Sequence, residues 1–160
     1  MITEKRSLKK EKFPEFINRL KTNQWRVIAP RLQEKQVRFQ EISSPEEVCL
    51  DYMQTASSAK EVIFPRVEEI FNYQAGSEGV KLGEKPAPVS GTVVFGLRPC
   101  DAAAVAPLSA VFTWDYQDSQ FKNRVEQTPL VTLRCSKADE YCFCTSVGGG
   151  PGDTRGSDIQ

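Results

Sequence analysis

The chain contains no histidine. Without an imidazole, a Ser/His/Asp triad, a Cys/His pair, His-ligated zinc and His-bound haem are excluded as chemistry of this chain alone. No pair of carboxylates has a spacing that marks an acid–base site either, so no catalytic residue is assigned. An excess of charge is also missing: Lys+Arg and Asp+Glu number 21 each. That balance gives no global attraction to nucleic acid or to an anionic membrane. Nor is there an apolar run long enough for a membrane span or a signal-peptide core, and a cytoplasmic location is expected. The one local imbalance is basic, at Lys5, Arg6, Lys9, Lys10 and Lys12. It reads as a flexible, solvated N-terminus over 1–12 rather than as a docking arm.

What is present is ordinary globular material, with 39% apolar and 26% charged residues in a chain of 160. That length suffices for one domain with a real core. Phe13, Phe16, Ile17 and Leu20 fall at i, i+3, i+4 and i+7 and predict an amphipathic helix over 13–22. An apolar strand over 25–29 should pair with the alternating Val37, Phe39 and Glu41 as a hairpin. Ser44-Pro45-Glu46-Glu47 sets a cap, a first-turn proline and a glutamate three residues past the cap, predicting a helix to about residue 60. A brief strand or edge is expected over 62–65, and an exposed excursion over 76–88.

Thr92-Val93-Val94-Phe95-Gly96-Leu97 predicts a buried strand, followed by an Ala-rich helix capped by Asp101. Pro107 should kink or break that helix, a further helix should cover about 117–125, and another strand should run over 129–133. The expected fold class is α/β: a mixed, partly parallel sheet with flanking helices and a cysteine- and glycine-rich loop at the strand ends.

Chemistry concentrates in the cysteines. Cys135, Cys142 and Cys144 lie within ten residues and run into Gly148-Gly149-Gly150-Pro151-Gly152, while Cys100 follows the earlier apolar strand. Both strands end at a cysteine, and parallel placement would bring Cys100 and Cys135 to one rim of the sheet, where open α/β sheets form crevices. Thiolates that converge, hydroxyls at Thr145 and Ser146, amides at Gly148, Gly149 and Gly150 and an apolar screen at Phe143 are the parts a [4Fe-4S] cluster needs. Arg98 and Arg134 could offset its charge. Cys49, with Val48, Tyr52, Met53 and Ala56 around it, reads as a small buried apolar residue.

Rival readings exist for the same residues. Zinc accepts four thiolates, although paired CxxC knuckles are absent, and four free cysteines without a metal are an ordinary outcome. In either case the domain would be a structural or assembly module. A Cys142–Cys144 disulfide would be tight across one intervening residue. The glycine run matches neither a Walker loop nor a GxGxxG fingerprint.

One set of segments points further. Phe64-Pro65 with Glu68 and Phe71, Phe95-Gly96-Leu97-Arg98-Pro99-Cys100-Asp101, and Cys142-Phe143-Cys144-Thr145-Ser146 with Gly149, Gly150, Pro151 and Gly156-Ser157-Asp158 stand in order. They resemble the amino-terminal part of sulfhydrogenase beta subunits and of the iron-sulfur electron-transfer subunits of anaerobic sulfite reductases. The resemblance implies an iron-sulfur electron-transfer component that makes and breaks no substrate bond. It would work beside a flavoprotein subunit that exchanges electrons with NAD(P)H, which would carry any flavin, and beside a catalytic hydrogenase or reductase subunit. The paired CxxCxxCxxxCP runs of that family are absent here, so 13–160 is expected to be a single α/β domain, the first of a longer protein. Cys100, Cys135, Cys142 and Cys144 are the expected cluster ligands.

Overall fold

The computed structural model describes residues 9–69, 71–77, 79–84 and 91–160. Of the stretch 1–12, residues 1–8 lie outside that description, and Lys10–Lys12 form a 3-10 turn leading into the first helix. That helix, α1 (Phe13–Thr22), has the expected bounds, with a proline in its first turn and Ile17 fully buried. β1 (Arg26–Gln33) and β2 (Gln36–Glu41) form the expected antiparallel hairpin. Its two-residue loop puts Glu34 and Lys35 at positive φ, the geometry whose twist matches the flanking strands.

Two further strands complete the main sheet, β5 (Thr92–Leu97) and β6 (Leu130–Thr132), in the order β2-β1-β5-β6. β1 runs parallel to β5, and β5 parallel to β6. The sheet is therefore mixed and the fold is α/β. Alternation along the strands covers both faces. Val27, Ala29, Val93 and Val131 pack with Ile17 and Ile42 on the α1 side, while Ile28, Val94 and Leu130 pack with Ala59, Ile63, Ala102 and Val105 on the other. That second face is covered by α2 (Pro99–Ala103) and α3 (Val105–Phe112), and α4 (Ser119–Gln127) lies against them.

β5 changes phase near its end. Phe95 packs on the α1 side, and in a regular strand Leu97 would join it; instead Leu97 is buried on the opposite face. The pairing with β6 shifts register between Phe95 and Leu97. Gly96, between them, has φ +84°, a left-handed conformation open to glycine at little cost. The slip turns the chain out of the sheet just before Arg98 and Cys100.

Several expected elements take another form. No helix fills 44–60: Pro45–Glu47 make a single 3-10 turn, and an irregular run follows until a second 3-10 turn at Ala59–Val62. Tertiary partners explain the difference. Arg31 holds Glu47 at 3.0 Å, and the amides of Cys49 and Ala56 donate to Pro30 and Val37 on the hairpin instead of to a preceding turn. No strand forms over 62–65, because the amides of Ile63 and Phe64 donate back to Lys60.

Asp101 does not cap α2; the cap position is Arg98, and Asp101 sits in the first turn, 3.9 Å from Lys60. Pro107 does not break α3 but lies in its first turn, where an amide has no intrahelical partner. The break falls earlier, at Ala104. α4 begins where Asp118 accepts the Phe121 amide. The excursion over 76–88 is in part structured, since β3 (Phe71–Gly76) and β4 (Gly79–Glu84) pair as a separate hairpin; residues 78 and 85–88 lie outside the described residues. Among the described residues, no helix is long and apolar enough to cross a membrane.

Candidate functional site

Backbone geometry brings together the segments that leave the carboxyl ends of β5 and β6. The Leu133 amide donates to Leu97 across the strand ends at 2.7 Å, so Arg98 and the α2 turn that carries Cys100 leave the sheet level with Arg134 and Cys135. The Cys135 amide then donates to Pro151 at 2.9 Å, tying the first cysteine of the loop to the glycine-rich segment beyond the last. Cys144 opens a 3-10 turn, Cys144–Val147, that ends on Gly148 at φ +71°.

The loop returns to the sheet. The Thr132 amide donates to Ile159 and the Asp158 amide to Leu130. The Asp158 carboxylate accepts the Leu130 amide at 2.8 Å, and the Thr132 and Ser157 hydroxyls meet at 2.8 Å. A parallel bridge joins Val131 and Ile159. Gly156 passes so close to α2 that a Cβ there would lie 2.3 Å from the Ala102 carbonyl oxygen. The Gly-Ser-Asp word near the end of the chain thus has a structural task.

All five cysteines are free thiols; Cys100 and Cys142 are exposed, and Cys135, Cys144 and Cys49 are partly buried. Cys135 is central. Burial pushes its thiol up, Arg98 pulls it down by charge and side-chain hydrogen bonding, and Cys142 and Cys144 add to the rise. The Cys100 thiol is raised by burial, by Asp101 and by Cys135. The Cys49 sulfur is directed at the Asp51 carbonyl, 3.6 Å away.

The remaining expected site residues are distributed unevenly. Phe143 is 68% exposed, beside the similarly open Tyr141 and Val147, so within this chain it screens little. Thr145 and Ser146 are exposed in the 3-10 turn. The amides of Gly148 and Gly149 close that turn on the Thr145 and Cys144 carbonyls, which engages two of the three expected donors. Gly150 accepts from the Asp153 amide. Arg134 lies over Gly152, where a Cβ would stand 2.9 Å from its guanidinium.

Two contributors were not legible in the cysteine pattern. Asp139 accepts from the Cys142 thiol at 3.2 Å and from Gln54 at 2.8 Å, and these bonds, that from Cys142 foremost, hold its carboxyl below the usual range. Tyr52 is buried; its hydroxyl donates to the Gly96 carbonyl at the strand slip, and the Arg98 guanidinium lies 4.1 Å from its ring centroid. Burial above all raises the pKa of that phenol.

The donor set is all sulfur, the type that selects iron–sulfur clusters and zinc. Among the described residues, no three Cys, Asp or Glu side chains stand close enough to hold a single ion. A four-iron cluster makes a different demand, since each thiolate binds its own iron and the inorganic core keeps the sulfurs apart. Four free cysteines, three of them on a backbone loop anchored at both ends, supply the donor chemistry of that demand.

An α/β domain with a mixed sheet, and with cysteines following two of its parallel strands, is the class these features define. The chain is 32% identical to sulfhydrogenase 2 subunit beta of Pyrococcus furiosus over 141 residues, which cover 88% of this chain and 40% of that relative. It belongs to a sulfhydrogenase beta-like family and spans less than half the length of the curated relative it matches. No protein-family model and no solved structure matches it.

Proposed function

We propose that this chain is an iron–sulfur electron-transfer domain of a multi-subunit hydrogenase- or sulfite-reductase-type oxidoreductase. In this reading Cys100, Cys135, Cys142 and Cys144 hold a [4Fe-4S] cluster. The observation that supports the reading is the parallel pairing of β5 and β6, with the Leu133 amide on Leu97 and the Cys135 amide on Pro151, which brings the backbone before Cys100, the backbone at Cys135 and the glycine-rich segment to one end of the sheet. A bound cluster takes up and releases one electron at a time. The chain's own part is to present four thiolates, to keep positive charge beside them at Arg98 and Arg134, and to keep the loop in register with the sheet.

Tyr141, Phe143 and Val147, which flank Cys142 and Cys144 in sequence, are exposed apolar side chains, and a partner surface resting on them would exclude water where electrons cross. The partners in this reading are a flavoprotein subunit that exchanges electrons with a nicotinamide nucleotide and a catalytic subunit. The family assignment supports membership of a multi-subunit assembly, because the relative is named as a sulfhydrogenase subunit.

The test is metal analysis of the full chain purified without oxygen. Iron with equivalent acid-labile sulfide is the expected result; zinc alone, or no metal, would sink the reading. Cys142→Ser should lower iron content, whereas Cys49→Ser should leave it intact. Equal loss from both would mean that the ligand set is wrong.

A further inference from the structure

We infer that Asp139 is a positioning residue that fixes the Cys142 sulfur and holds a negative charge beside it, an inference that rests on the cluster reading above. The contacts are direct. The Cys142 thiol donates to the Asp139 carboxylate at 3.2 Å, the Asp139 amide points back at the sulfur across 3.4 Å, and the Cys142 amide donates to the Asp139 carbonyl at 3.2 Å. Sulfur and carboxylate thus share one tight turn.

Two donors independent of the thiol hold the carboxylate in place. Its Oδ1 accepts the Tyr141 amide at 3.0 Å, and its Oδ2 accepts the side-chain amide of Gln54, 85 positions away in sequence, at 2.8 Å. Gln54 is itself on anchored backbone. Its segment is pinned to the β1–β2 hairpin, where the Cys49 amide donates to Pro30 and the Ala56 amide to Val37, both at 2.8 Å. A second, looser tie joins the same two segments, with Lys137 standing 3.8 Å from Asp51. Through Gln54 and Asp139, the Cys142 sulfur is referenced to the main sheet.

The fixed charge bears on electron transfer. Replacing the thiol proton by a metal leaves the Tyr141 and Gln54 bonds intact, so the carboxylate stays beside the ligand sulfur. Negative charge there disfavours the state with one more electron and lowers the potential of a centre ligated by Cys142. Water reaches both groups, Cys142 being exposed and Asp139 partly buried, which keeps the effect moderate.

The test compares the full-length parent chain with Asp139→Asn, Gln54→Leu and Asp51→Asn. In iron-loaded protein, a redox titration followed by electron paramagnetic resonance should show Asp139→Asn moving the one-electron equilibrium about fivefold toward the reduced form, a rise of about 41 mV. Gln54→Leu, which frees the carboxylate to turn into water, should move it the same way by a smaller factor. Asp51→Asn cuts the looser tie without touching the charge at the sulfur and should leave the potential where it was. An unchanged potential in Asp139→Asn, or an equal rise in Asp51→Asn, would overturn the inference.

A second measurement needs no metal. In iron-free, reduced protein the Hα–Hβ couplings of Cys142, read by nuclear magnetic resonance, should show a single side-chain rotamer in the parent and averaging over rotamers in Asp139→Ala. Averaged couplings in the parent, or a single rotamer in both, overturn the inference. A parent chain that never binds iron defeats the cluster reading instead, and the couplings then still decide whether Asp139 holds Cys142.

Discussion

Replacing Gly96 with alanine should destabilise this domain by about 2 to 5 kcal/mol. Two separate terms make up the estimate. At φ +84° an L-residue brings its Cβ toward backbone oxygen, at about 1 to 2 kcal/mol. The new methyl would also stand 3.0 Å from Cδ and 3.2 Å from Cγ of Pro30. Pro30 is fully buried within β1, so it cannot swing aside, and overpacking of this kind costs about 1 to 3 kcal/mol. Against a total stability of roughly 5 to 15 kcal/mol, the loss is large. With a urea slope near 2 kcal/mol/M, the unfolding midpoint should fall by about 1 to 2.5 M. A double-mutant cycle with Pro30→Ala isolates the contact, which should show a coupling of about 1 kcal/mol or more. A loss below about 0.5 kcal/mol for Gly96→Ala would refute the claim that the phase change in β5 needs glycine.

Two further outcomes are expected. Gly156→Ala places a methyl 2.3 Å from the Ala102 carbonyl oxygen at φ +71°, so the terminal segment should lift from α2, and hydrogen exchange at the Thr132 amide, which donates to Ile159, should accelerate; unchanged exchange would rule this out. Burial raises the Asp101 carboxyl above the ordinary range, with Lys60 and Arg98 pulling the other way. The folded state therefore keeps that proton to higher pH than the unfolded state. The group's contribution to stability is complete below the ordinary aspartate pKa and is lost as pH rises through the raised value. In metal-free protein Asp101→Asn should flatten this part of the stability profile, and a profile superimposable on the parent's would contradict the assignment.

Local patterns in the sequence were sufficient where short-range physics decides. The 3.6-residue spacing of Phe13, Phe16, Ile17 and Leu20 became α1 within its expected bounds. The apolar runs ending at Leu97 and Leu133 became adjacent parallel strands, which brought Cys100 and Cys135 to one rim. The helix expected over 44–60 was legible only as a false start. Its cap signal is genuine in composition, but Arg31 captures Glu47 and the hairpin takes the Cys49 and Ala56 amides, and no local window contains those partners. Tyr52 was hidden for the same reason. Its hydroxyl reaches a carbonyl 44 positions later in the chain, so nothing in its neighbourhood marks it as a platform for Arg98. Asp139 was masked by its ordinary setting in a polar loop, since its role depends on where Cys142 folds back.

The return of Ser157–Ile159 to the edge of β6 makes the thiol loop a closed ring on the sheet. Joining the ends of a flexible segment of this length costs an entropy that grows with the logarithm of its length. Here hydrogen bonds from Leu130, Thr132 and Asp158 already hold the ends together. In the cluster reading, three of the four sulfurs, those of Cys135, Cys142 and Cys144, lie within the ring and would meet at a high effective concentration, with Cys100 supplied from α2. The contacts along that strand edge would then act as a chelate effect exerted from outside the ligand shell.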